Sequence, residues 1–194
     1  MKKTVLFAIA ALIAGTVFGQ ENAAQNMRKV KLENADFAIP AENGVVGWSC
    51  HNRDWPGKLE VKDDENGGKY LSVTPLKSPT QVDAKKEPKV AAFVYGGTKF
   101  NAAAGDKLVI KFQVRVSPET SGSPVLDDGC FSQWLPSFKA VRAVAGQWCD
   151  YSVEYTIRET KNKLKNGKYS LGFLIDRGAV DIRPISLSIR PGSK

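Results

Sequence analysis

Groups that do chemistry are scarce in this chain. It carries one histidine, His51, and three cysteines in 194 residues. His51 adjoins Cys50, but neighbours on an extended strand point to opposite faces, so the two form no catalytic dyad. No serine or cysteine lies in a nucleophile elbow. No two cysteines have the CxxC spacing of zinc and redox sites. Glycoside hydrolysis needs two carboxylates at a set separation, and the 20 acidic residues are scattered through turns with none standing out. The expectation is a protein that is not an enzyme and holds no cofactor.

Long apolar runs are missing too, with one exception. Val5 to Val17 is apolar apart from Gly15 and Thr16, follows Lys2-Lys3 and leads into Phe18-Gly19. A membrane-spanning helix needs about 20 apolar residues; this run is shorter and gives way to Gln20-Glu21-Asn22. Residues 1–19 are therefore expected to be a cleaved secretory signal, residues 20–29 a loose polar leader and residues 30–191 one domain. No membrane span is left after cleavage, and no cysteine follows the run to take a lipid. The mature chain is expected to be secreted or periplasmic.

In that oxidising setting, three cysteines allow at most one internal disulfide. Cys130 and Cys149, 19 residues apart around a strand–loop–strand unit, are the preferred pair. Cys50 with either partner, or three buried thiols, are the alternatives. Removing Lys2 and Lys3 leaves 26 basic against 20 acidic residues, a net +6. Such a charge favours acidic partners weakly and serves solubility equally well. Arg28-Lys29-Lys31, Lys85-Lys86-Lys89 and Lys161-Lys163-Lys165-Lys168 read as solvated faces. Nucleic acid is not an expected partner of an exported chain without a basic motif.

Amphipathic helices are the last notable lack. Apolar residues instead alternate with polar ones in short runs, the period of strands. Strands are expected at Val30–Ile39, Leu59–Lys62, Tyr70–Thr74, Val90–Tyr95, Lys107–Val116, Cys130–Leu135, Ala140–Val144, Asp150–Ile157, Tyr169–Ile175 and Ile182–Ile189. Asp63 to Gly68 supplies hairpin turn chemistry. In Lys107–Val116, Leu108, Ile110, Phe112, Val114 and Val116 alternate with Val109, Lys111, Gln113 and Arg115, one face buried and the other wet. Ser117–Gly129, rich in Ser, Pro and Gly, reads as a loop. No internal repeat is visible. The fold class expected is all-β, an antiparallel two-sheet β-sandwich.

Five short segments, in order, carry a resemblance. They are Asn34-Ala35-Asp36-Phe37, Gly47-Trp48, the strand from Gly105 to Val114, Trp148-Cys149-Asp150-Tyr151-Ser152, and Ile182-Arg183-Pro184-Ile185-Ser186-Leu187. The ordered set, over roughly residues 30–190, resembles the jelly-roll carbohydrate-binding modules of the family 4, 9, 16 and 22 type, within the galactose-binding-like fold. The resemblance implies a glycan ligand, acidic ones included. Many such modules hold a structural calcium near the first and last strands. Here Arg183-Pro184 replaces the terminal Asp pair and Ala38 follows Phe37, so calcium, with Glu33, Asp36 and Asp181 as remaining donors, is disfavoured. Jelly-roll polysaccharide lyases share the architecture, but their strand motifs are not present.

Sugar rings present apolar C–H faces, so flat aromatics beside polar groups are their usual receptor. Of the four tryptophans, Trp48 and Trp148 follow the family pattern as packing residues. Trp55, in the polar stretch His51 to Gly57, has no periodic reason to be buried, and in Phe131-Ser132-Gln133-Trp134 alternation places Trp134 opposite Gln133; these two are the candidate platforms. Tyr95, beside Gly96-Gly97, is a third. Arg53, Asp54, Asn52, Gln133 and Arg115 are the candidate polar partners. A competing expectation is a structural or protein-interaction sandwich of the cell envelope, in which Trp55 and Trp134 are buried and no groove exists. The identity of the sugar, the oligomeric state and the pathway are not encoded in these patterns.

Overall fold

The computed structural model describes residues 26–41, 44–51, 53–83, 85–129, 133–159 and 167–192. The expected signal and most of the leader fall outside them, as do Asn52 and Cys130. In chain order the strands are β1 (Arg28–Val30), β2 (Pro40–Ala41), β3 (Gly44–Val45), β4 (Trp48–Cys50), β5 (Gly57–Asp63), β6 (Lys69–Pro75), β7 (Lys77–Val82) and β8 (Pro88–Gly96). They continue as β9 (Phe100–Asn101), β10 (Lys107–Val116), β11 (Ser121–Asp127), β12 (Gln133–Trp134), β13 (Cys149–Thr156), β14 (Lys168–Asp176), β15 (Val180–Ile182) and β16 (Ser186–Arg190).

These strands make two antiparallel sheets, the expected β-sandwich. The first runs β1-β16-β10-β15-β6-β5 with β13 on the other edge of β10; the second runs β12-β11-β14-β8-β4-β3-β2, with β7 beside β8 and β9 beside β14. One face of each sheet is apolar, and the two meet. From the first sheet, Leu71, Val73, Leu108, Ile110, Val114 and Tyr151 enter the core; from the second, Ala92, Val94, Leu126, Leu171, Phe173 and Ile175 do so. Phe112 stacks on Tyr151 at 4.5 Å between centroids and meets Phe173 edge-on at 5.6 Å, joining the layers. Burial of such surface is the main source of fold stability, at about 25 cal/mol per Å² of apolar area.

Several strand expectations need correction. Val30–Ile39 is strand only in β1, because Asn34 and Phe37 take positive φ values of 46° and 56°. The Asn34 side chain holds that bend by donating to the carbonyls of Ile39 (2.9 Å) and Val46 (3.0 Å). Ser117–Gly129 is not a loop: residues 121–127 form β11, fully paired with β14 from Ser121↔Asp176 to Asp127↔Ser170. Gly122 is there because of close approach, since a Cβ would lie 2.6 Å from the Leu174 carbonyl. Ala140–Val144 is a turn instead of a strand, opened by the Ser137 hydroxyl accepting from Ala140 N at 3.2 Å. Ile182–Ile189 is interrupted between β15 and β16, where Pro184 has no N–H to give a ladder.

Trp48 is a core residue, 3% exposed, with its indole N–H donating to Asn34 O at 3.3 Å. Cys149, the preferred disulfide partner of Cys130, is a free thiol. Its Sγ accepts from Val144 N at 3.2 Å and faces Gln147 O at 3.6 Å, which turns it into the loop preceding β13.

Candidate functional site

Register places the outward side chains of the second sheet in rows, because residues directly opposite in an antiparallel pair share a face. On β8, Ala92 and Val94 point into the core, so Lys89, Ala91, Phe93 and Tyr95 point out. Across β14 and β11 these meet Leu174 and Ser123 in one row (opposite Phe93), and Asp176 and Ser121 in the next (opposite Ala91). A cavity of about 310 Å³ opens on this outer face, lined by Lys89, Ala91, Ser121, Ser123, Leu174 and Asp176 on its floor. Its aromatic walls are Trp134 and Trp55.

Each wall has a local cause. Trp134 sits on the two-residue edge strand β12, opposite Val125, and is 52% exposed. Its neighbour Gln133 alternates to the other face, is only 4% exposed, and accepts from Arg158 N at 2.9 Å while donating to Arg158 O at 3.0 Å. Gln133 therefore anchors β12 and does not face the cavity. Trp55 lies beside β8 where β4 ends: His51 N donates to Phe93 O at 2.9 Å, and Phe93 N donates to Trp55 O at 3.0 Å. Lys89 Nζ stands 4.6 Å from the Trp55 ring centre, a cation–π contact that covers one part of the indole. Cys50 donates to Trp55 O at 3.4 Å, and burial raises its thiol pKa.

Counting strand steps gives the scale. From β12 through β11, β14 and β8 to the Trp55 backbone are four neighbour intervals, roughly 19 Å at about 4.8 Å each.

The other expected ligands are placed differently. Tyr95 shares the outer face, in the row Trp134, Val125, Gly172, Tyr95 that runs beside the cavity, and packs against Phe93 at 5.8 Å. Arg53 is exposed in the Trp55 loop. Asp54, in the same loop, accepts from the Thr80 hydroxyl at 2.6 Å, which holds its carboxyl below the usual carboxylate range.

Arg115 is on the opposite sheet. Its guanidinium donates twice to Asp181 Oδ2 (2.9 and 2.8 Å) and once to the Tyr70 hydroxyl (3.2 Å), and it lies 4.6 Å from the Trp148 ring centre. Arg183 flanks the same indole at 4.1 Å, pairs with Asp64 and donates to Gln113 Oε1 at 2.6 Å. Trp148 is thus a cover over two paired arginines.

Two of the expected calcium donors are engaged within the protein. Asp181 is committed to Arg115, and Asp36 accepts from Ala38 N at 3.3 Å. Among the described residues no group of three His, Cys, Asp or Glu is placed to hold a metal ion.

Lys89, Ser121, Ser123, Leu174 and Asp176 are site residues that the sequence did not single out. The position of Leu174 and Asp176 on β14 follows from its alternation, with Leu171, Phe173 and Ile175 in the core. The two serines were hidden in a stretch whose composition resembles a loop.

No family model matches the chain, and no curated protein matches it. Solved structures are similar to it in layout. The tandem CBM22-1–CBM22-2 domain of Paenibacillus barcinonensis Xyn10C aligns at 12% identity over 83% of this chain and 50% of that one, TM-score 0.48. A cyclase from Fischerella sp. TAU aligns at 12% identity over 87% of this chain and 100% of that one, TM-score 0.48. The enzymatically active domain of bacteriophage CBA120 tailspike protein 4 aligns at 11% identity, TM-score 0.44; 74% of this chain is covered but only 19% of the tailspike, so the chain spans about a fifth of that length. At such scores the likeness bears on neither ligand nor activity.

Proposed function

We propose that this chain is an exported, non-catalytic glycan-binding module whose ligand lies across β11, β14 and β8 between Trp134 and Trp55. One observation carries the reading: two tryptophans 79 positions apart in the chain line the same cavity. An envelope protein using all its aromatics as core has no need to leave Trp134 half exposed at a cavity rim. Indoles stack on sugar C–H faces, and the serine hydroxyls, Asp176 and Lys89 between them offer donors and acceptors to sugar hydroxyls. The lining holds one carboxylate, Asp176, and no histidine among the described residues. That supports binding over hydrolysis, which needs a carboxyl pair.

The test is a broad glycan array with the mature protein, followed by Trp55→Ala and Trp134→Ala. Loss of a central aromatic anchor costs about 2 kcal/mol or more, roughly 30-fold in affinity. Each variant should lose that much for the array's best sugar while keeping the wild-type circular dichroism and Tm. Retention unchanged in both variants would reject the site; no glycan bound at all would favour the structural or protein-interaction role.

A further inference from the structure

Trp55 is held by a strand that does not touch the cavity. The loop that carries it leaves the sheet after His51 and rejoins β8 at Trp55, which alone would let the indole swing about its two backbone anchors. A second attachment comes from β7. Thr80 Oγ1 donates to Asp54 Oδ1 at 2.6 Å and lies 3.3 Å from the Arg53 carbonyl. Thr80 is itself fixed: the Ser78 hydroxyl, 5% exposed as a residue, accepts from Thr80 N at 3.2 Å and Gln81 N at 2.9 Å. β7 can reach the loop because its pairing with β8 is irregular between Lys77↔Val90 and Val82↔Pro88. On the loop side, Asp54 N donates to His51 Nδ1 at 3.3 Å, and Leu76 N donates to Pro56 O at 2.9 Å.

We infer that Thr80 is a positioning residue for glycan binding: its hydroxyl, through Asp54, clasps the 53–55 turn so that the Trp55 indole is already in its binding orientation before the sugar arrives. The inference rests on the groove reading above. It also moves Asp54 from direct ligand to the acceptor end of the clasp. Ordering a platform in advance removes that cost from the binding step, which is where preorganisation raises affinity. No contact between Thr80 and the sugar is involved.

The experiment measures affinity for the array's best glycan, together with the Trp55 indole N–H signal of the free protein, in Thr80→Val, Thr80→Ser, Asp54→Ala and the Thr80→Val/Asp54→Ala double variant. Thr80→Val removes the donor at nearly constant volume, and at an exposed position it leaves folding intact. The expected result is a loss of about tenfold in Thr80→Val with a broadened or shifted Trp55 signal. Thr80→Ser should restore both. Asp54→Ala should lose affinity in the same direction, and the double variant should lose less than the sum of the two, because the two side chains share the Thr80–Asp54 bond. Wild-type affinity in Thr80→Val overturns the clasp. So does an Asp54→Ala loss that is larger and additive, which would return Asp54 to direct sugar contact. Trp55→Ala, run alongside, separates the two ideas: if it also binds normally, the groove reading fails with the clasp; if it loses binding while Thr80→Val does not, only the clasp fails.

Discussion

Asp54 and Gln133 have the side-chain chemistry of glycan ligands, and both turn out to be engaged by the protein itself. Their residue types were legible in the sequence; their partners, Thr80 26 positions away and Arg158 25 positions away, were not. For Gln133 the consequence is a stability effect. Gln133→Leu leaves the Arg158 N–H and carbonyl without their partner in a part-buried place, costing about 1 kcal/mol. Urea unfolding should show a lower midpoint, while the folded protein keeps most of its glycan affinity because the side chain faces away from the cavity. For Asp54 the consequence is a pH effect. Its folded pKa is depressed, chiefly by the Thr80 hydroxyl. The clasp is therefore fully present above the unfolded carboxylate value of about 4 and is lost as pH falls through the lower folded value. The Trp55 indole signal should change as pH falls below about 4, and in Asp54→Asn that low-pH change should be absent.

Strands were legible in proportion to how well their own alternation matched their burial. β10 could be read to the residue because one face is core and the other wet. β8 looked apolar throughout, and it is covered on both faces, by the core beneath Ala92 and Val94 and by neighbours around Phe93 on the outside. β11 defeated the reading because Ser-Gly-Ser-Pro marks a loop by local propensity, while the pairing that makes it a strand comes from β14, about 50 positions on. The glycines of this region are contacts and not punctuation. At Gly172 a Cβ would meet the Phe93 ring at 2.8 Å and the Val94 carbonyl at 3.0 Å; at Gly122 the obstacle is the Leu174 carbonyl. Overpacking of this kind costs about 1–3 kcal/mol. Gly122→Ala and Gly172→Ala should both lower the Tm. Gly172→Ala should also weaken glycan binding, since it pushes Phe93, whose backbone carries Trp55, out of place.

On the scale of the whole molecule, the two sheets share a core and differ outside it. The first sheet carries ion pairs and Trp148 lying over Arg115 and Arg183, with a second cavity of about 370 Å³ lined by Arg115, Val116, Ser117, Pro118, Ala179 and Asp181. The outer face of the second sheet carries the cavity lined by Trp134 and Trp55. The five family-like segments foretold the sandwich, because turns and core alternation are local signals. They did not foretell which face carries a cavity between two indoles, since that depends on which edges happen to bring distant aromatics together. Charge is distributed in the same spirit: the chain is +8 overall, yet the cavity lining carries one lysine and one aspartate. Screening at about 0.15 M salt suppresses long-range attraction between exposed charges. Glycan affinity should therefore change less than about threefold between low and physiological salt, as isothermal titration calorimetry at the two concentrations would show.

The most direct measurement is the two-dimensional NMR spectrum of the four indole N–H groups, assigned by single Trp→Phe variants and followed as the best array glycan is titrated in. The groove account predicts that the Trp55 and Trp134 signals move together with one dissociation constant, while Trp48 in the core and Trp148 on the opposite sheet stay in place. Movement of Trp148 with Trp55 and Trp134 unmoved would contradict it.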